Sequence, residues 1–343
     1  MKNGERIFWF FAVIVLLGVI LGIWKQETRK SLTLTIPKPP SLPKYQIPSV
    51  NIWNGAVIDR LSLFSLVSFP QFKSNHSRSI DATIRRTLNR LGIKIDPPNS
   101  EYPTKLSVKI TGRAHSAFYI PGGKLYTGGE IKGELVLSSN DSEPYIFPVN
   151  VYKPPSKNYI APSKEWLKKM RKPEHYRFKK LWLKPVVDFF EKVWGPPALV
   201  YLLDEENMFP NTVSRRLTDI GPTKEIMIHI IRALYSGDYD LRDSALSMFT
   251  SGGFAPDATE AIPHITRMID DKSKTPTRKA IWALEKFGSR AIKSVPFLIA
   301  ALDRRDHSDN AYDALRTITG KDFPKDSRKW KRWWFKYGKN ILN

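Results

Sequence analysis

The stretches AIPHITRMIDD, residues 261–271, and SVPFLIAALDR, residues 294–304, decide how the C-terminal third of this chain folds. Ile262-Pro263, Ile265, Ile269 and Asp270 recur as Val295-Pro296, Leu298, Leu302 and Asp303 at a constant offset of about 33 residues. Within each stretch the apolar residues fall at helical spacing, and a proline near the start is tolerated because the first helical N–H groups lack intrahelical acceptors. A fixed period of this length marks stacked helical hairpins, each too small to bury its apolar face alone.

Working outward, Met227, Ile230 and Leu234 occupy the same apolar positions one unit earlier. Second helices are expected where a Leu is followed three residues on by a bulky apolar residue: Leu217 with Ile220, Leu246 with Phe249, Leu284 with Phe287, Leu315 with Ile318. Ala280 and Ala283, and again Ala311 and Ala314, let paired helices approach closely. The segments RKAIWALEKFG and NAYDALRTITG supply those second helices. Together with the two opening stretches they resemble HEAT repeat proteins, and more narrowly the bacterial branch of phycobilisome-lyase-type HEAT repeats, over residues 197–323. The unit from Met227 to Leu234 lacks the proline. The ending TGKDFPKDSRKWKRWW is similar to the closing segment of such proteins. The resemblance implies an all-α superhelical solenoid of about four units with an extended surface for a protein partner. Relatives include chromophore lyases, but no residue pattern here would hold a bilin.

Beyond the repeats, Trp330, Trp333, Trp334 and Tyr337 lie at i, i+3, i+4 and i+7 of a helix beginning near Asp326, with Lys329, Lys331, Arg332 and Lys336 on its flanks. The reading is a capping helix over residues 324–343 that buries aromatics where the last unit has no neighbour. If so, Trp333→Ala should cost about 3–5 kcal/mol. A helix lying at a membrane interface would use the same residue types.

At the other end, IFWFFAVIVLLGVILGIW, residues 7–24, is uncharged and, as a helix, about 27 Å long against a hydrocarbon core of about 30 Å. It reads as an uncleaved transmembrane signal anchor over residues 1–24, since no small-residue cleavage site follows. Lys25, Arg29 and Lys30 after it favour a cytoplasmic body. The signal-like layout favours the opposite, and a single-pass membrane protein with an extracytoplasmic, periplasmic body is expected.

Prolines at 37, 39, 40, 43 and 48 make residues 25–54 a proline-rich extended linker. Residues 55–155 alternate: Leu106, Val108 and Ile110 oppose Lys105, Ser107, Lys109 and Thr111, and Tyr145, Phe147, Val149 and Val151 repeat the pattern. One helix, with Ile80, Ile84, Leu88 and Leu91 on its apolar face, interrupts the strands. A small α+β domain with an antiparallel sheet is expected. Residues 156–195 form a basic, aromatic helical connector, with Pro185 at a helix start and Val186, Phe189, Phe190 and Val193 as its stripe.

Charge and chemistry narrow the function. The formal charge of +22 over 343 residues is concentrated around Lys157–Lys192 and Lys321–Lys339, while the repeats are nearly balanced. Lys168, Lys169, Arg171, Lys172, Lys179 and Lys180 in the connector, interleaved with Trp166, Tyr176, Phe178 and Trp182, form a candidate polyanion site for anionic lipid, cell-wall polymer or nucleic acid. Nucleic acid is the least favoured of these for an extracytoplasmic body. The absence of cysteine excludes disulfides and thiol chemistry. The six histidines form no ligand spacing, and PGGKLYTGGEIKG matches no phosphate-binding loop and reads as hairpin turns. No catalytic residue, metal or cofactor is expected. The leading expectation is a membrane-anchored, non-enzymatic scaffold for protein binding, with polyanion binding through the connector as the alternative.

Overall fold

The computed structural model describes residues 38–41, 49–54, 57–62, 76–97, 104–116, 127–139, 142–153, 173–205, 211–251, 253–255, 257–270 and 276–342. One compact unit is Pro40–Ala245, and Leu246–Asn343 belongs to a second.

The first unit is built on a six-stranded mixed sheet. Its strands are β1 (Ser49–Asn54), β2 (Val57–Ser62), β3 (Lys94–Asp96), β4 (Thr104–Ser116), β5 (Thr127–Ser139) and β6 (Ser142–Lys153). The order is β3-β1-β4-β5-β6, with β2 also beside β4. Strands β1 and β2 run parallel to β4, and β1 runs parallel to β3, while β4-β5 and β5-β6 are antiparallel. The expected purely antiparallel sheet is therefore corrected. The physical reason is helix α1 (His76–Leu91), which lies between β2 and β3 in the chain and returns it to enter the sheet in the original direction. Strand β1 also falls inside the stretch read as a proline linker.

Alternation along β4 and β5 works as the sequence implies. Leu106, Val108, Ile110, Ile131 and Leu135 are fully buried on one face, whereas Lys105, Lys109 and Lys132 face outward. Gly133, at φ +140°, pairs with Ile110, and a Cβ there would lie 2.0 Å from the Lys109 carbonyl oxygen. Only glycine fits that approach of β4 to β5.

Helix α2 (Pro173–Trp194) packs on β5 and β6 and against α1. It begins at Pro173, and Pro185 stands inside it. From residue 182 onward it is a core element: Trp182, Leu183, Val186, Val187, Phe189, Phe190 and Trp194 are buried. Phe189 meets Phe147 edge-on at 5.9 Å and Phe190 at 5.9 Å. A buried 3-10 turn, Pro196–Leu202, follows and packs on α2. Then come α3 (Thr212–Ile220), with a reciprocal Asn211–Ser214 capping box, α4 (Lys224–Ala233) and α5 (Tyr239–Thr250), inside which the division between units falls.

The second unit continues with α6 (Ile262–Asp270), α7 (Thr277–Phe287), α8 (Val295–Ala301), α9 (Ser308–Thr319) and α10 (Ser327–Leu342). Helix α8 packs on α6 and α10, and α7 packs on α9, so first and second helices form two stacked layers. Helix α7 buries Ala280, Ile281, Ala283, Leu284 and Phe287, and α9 buries Ala311, Ala314, Leu315 and Ile318, with the alanines permitting close packing. Gly320 ends α9 in the left-handed conformation at φ 65°. This helical region is compatible with a solenoid.

Among the described residues no helix is long and apolar enough to cross a membrane. Even α2, at 22 residues, carries charged side chains throughout. The expected transmembrane helix is corrected accordingly, and with it the single-pass membrane localisation with an extracytoplasmic body. Residues 7–24, which carried those expectations, lie outside the described residues.

Candidate protein-interaction face

Helices α7 and α9 lie side by side with their small and apolar residues turned inward, which leaves one broad surface from the second-helix layer. On α7, the Arg278 guanidinium sits 5.3 Å from the ring centre of Trp282, one helical turn away. Trp282 is 39% exposed, and its indole N–H donates to Asn310 Oδ1 of α9 at 3.0 Å. On α9 the order is reversed: Arg316 lies over Tyr312 at 5.6 Å. The Arg316 Nε also pairs with Asp322 at 2.8 Å, and the Tyr312 hydroxyl donates to Asp322 at 3.3 Å. The exposed Trp282 and the half-buried Tyr312 are each fixed by a cation and a hydrogen bond, so little rotamer entropy remains to be lost on contact with a partner.

Beside these pairs, Glu285, Asp313, Arg316, Thr317, Gly320, Lys321 and Asp322 line an open cleft of about 530 Å³. Thr317 donates to Glu285 Oε1 across the helix pair at 3.5 Å. The lining carries both signs of charge. Arg316 lines the cleft, while Trp282 and Tyr312 are not part of its lining.

The capping residues separate. Trp330 is fully buried, Trp333 and Trp334 are half-buried, and Tyr337 is 44% exposed. Trp330 meets Phe323 edge-on at 5.1 Å, and its indole donates to the Pro324 carbonyl at 3.1 Å. Trp334 lies over Gly338, where a Cβ would come within 2.5 Å of its ring. Of the candidate polyanion residues, Lys168, Lys169, Arg171 and Lys172 lie outside the described residues, and Lys179 and Lys180 lie in the first half of α2.

In the first unit, sequence reasoning missed a charge network. Arg90 of α1 makes a two-pronged pair with Asp204 at 2.8 and 2.9 Å, reaches Asp238 at 2.7 Å and donates to the Tyr201 carbonyl at 2.8 Å. Arg86 pairs with the buried Glu205 at 2.7 Å, and Glu205 also accepts from Thr83 at 3.1 Å. Burial works against the Arg90 cation, but the hydrogen bond and charge of Asp204 outweigh it and hold its pKa above the ordinary value. The one visible signal was the pair of arginines one turn apart on α1. Their partners lie more than a hundred residues away in the sequence.

His229 is buried in α4, with Nδ1 3.1 Å from the Tyr201 hydroxyl and the two rings edge-on at 5.5 Å. Burial, helped by Arg232, lowers its pKa to about 4. His264 is buried and shifted in the same direction by burial and Arg267. Both are packing residues. Among the described residues no group of three or more His, Asp or Glu is placed to hold a metal ion.

Comparison with family models, curated proteins and solved structures finds no match to this chain.

Proposed function

We propose that the C-terminal helical unit is a HEAT-like, non-catalytic scaffold that holds a protein partner on the α7–α9 face. The observation that carries this reading is the pair of Arg-clamped aromatics, Arg278–Trp282 and Arg316–Tyr312, side by side on adjacent second helices. It is supported by the repetition of the helical pairs, offset by 33 residues from α6 to α8 and by 31 from α7 to α9, and by the stacking of α6, α8 and α10 in the other layer. The face offers preorganised aromatic and cationic contacts, which suit recognition. Fold by itself does not select the partner, so the test is at the face. A photo-crosslinking amino acid placed at the exposed Asp313 should trap one discrete protein in cells. The adduct should vanish in W282A and R316A variants that keep their helical content. Adducts that persist in both variants, or none at all, would sink the proposal.

A further inference from the structure

Residues 196–205, PPALVYLLDE, follow α2 directly, and Pro197, Ala198, Leu199, Val200, Tyr201 and Leu202 of their 3-10 turn are all buried. The turn packs on α1, α2, α3 and α4, and α2 packs on β5 and β6. Apolar contact therefore runs without a break from the sheet through α2 and the turn to α4. Tyr201 continues it, with its hydroxyl 3.1 Å from Nδ1 of His229 in α4.

An apolar run of this kind gains similar burial in several placements, because the hydrophobic effect has no direction. Directed bonds choose among them. Arg86 and Arg90, one turn apart on α1, meet Glu205 and Asp204, the consecutive carboxylates that close the run. The Arg90 guanidinium makes four hydrogen bonds: two to Asp204, one to the Tyr201 carbonyl and one to Asp238, which lies between α4 and α5. Its side chain is 12% exposed and that of Asp204 5%, so water cannot readily replace either partner. A slide of the turn by one residue breaks these bonds together. Two more arginines tie neighbouring joints. Arg216 of α3 reaches Asp188 and Glu191 of α2 at 2.5 and 2.8 Å, and Arg232 of α4 donates to the Pro40 carbonyl at 2.6 Å.

We infer that the sheet and helices α1–α4 open as one cooperative body, and that Arg90 is the latch that holds the 196–205 turn in place between them. The domain boundary that the sequence suggests at residues 195–196 then falls inside a cooperative unit. A body joined by apolar contact alone would open at the turn and free α3 and α4 from the sheet; the latch opposes that opening. This inference is independent of the partner face proposed above.

Native-state amide hydrogen exchange of the full-length chain, read by mass spectrometry over a range of sub-denaturing urea, tests it. Peptides from β4–β5, from α2 after Trp182 and from α4 should show one common opening, with equal protection and equal urea dependence. Lysine keeps the charge at position 90 but cannot span the two oxygens of Asp204, the Tyr201 carbonyl and Asp238 together. In R90K all three regions should therefore lose protection by one common factor of at least ~10. R85A, on the same helix but outside the network, should change protection by less than ~5-fold. The inference is overturned if α4 of the wild-type chain opens while β4–β5 stays protected. It is also overturned if R90K lowers protection in α4 alone or leaves all three regions unchanged. The wild-type profile distinguishes one opening from two by itself, so the test stands even where R90K does not fold.

Discussion

Replacing Trp330 by alanine tests how the end of the helical stack is closed. Trp330 is the one residue of the C-terminal aromatic set that is fully enclosed, in contact with Phe323 at 5.1 Å and Trp333 at 6.1 Å and hydrogen-bonded to the Pro324 carbonyl at 3.1 Å. Truncation removes the whole indole from a packed site and leaves the Pro324 carbonyl without that donor. A fully buried large aromatic costs about 3–5 kcal/mol on truncation. Trp330→Phe retains a ring but loses the N–H donor, and should cost about 1–2 kcal/mol. Trp333, half-buried, gives up less area and should lose about 1–2 kcal/mol on truncation. Urea unfolding of the full-length chain, followed by far-ultraviolet circular dichroism, measures all three. The order Trp330→Ala, then the two milder variants, is expected. A loss below about 1 kcal/mol for Trp330→Ala, or an equal loss for Trp333→Ala, would refute the reasoning that burial of Trp330 closes the stack.

Two further outcomes follow from the first unit. Arg90→Ala leaves the buried Asp204 carboxylate without its two-pronged partner and should destabilise by about 3–5 kcal/mol, whereas removing Arg85, paired across one half-buried helical turn to Asp81, should cost no more than about 1 kcal/mol; both are read by urea unfolding. His229 is held neutral with a folded pKa of about 4, below its unfolded 6.5, so the unfolded chain binds the extra proton between those values. Its contribution to stability should therefore be complete above pH 6.5 and fall by up to about 3 kcal/mol toward pH 4, and H229Q should flatten the pH dependence of the melting temperature in that window.

Much of the local structure was legible because its causes are local. The proline and apolar spacing of Ile262–Ile269 and Val295–Leu302 specify amphipathic helices whatever surrounds them, and α6 and α8 form there. The alternation at Leu106, Val108 and Ile110 likewise specifies a strand with one buried face. Arg278–Trp282 and Tyr312–Arg316 are one-turn pairs written in the sequence, although only the packing of α7 on α9 makes them one face. Strand direction was not legible. Antiparallel and parallel strands share the same alternation, and only the return of the chain through α1 made β1, β2 and β4 parallel. The same holds for the aromatic stripe of α2, which reads as a surface connector until β5 and β6 cover it, and for Trp333, whose helical position alone looked equivalent to that of Trp330. The Arg90–Asp204–Asp238 network joins residues far apart in the chain, so no local pattern could announce it. Periodicity and capping are properties of a few consecutive residues and survive in the sequence, while burial, pairing and strand direction depend on which distant segments arrive, and those the tertiary structure alone decided.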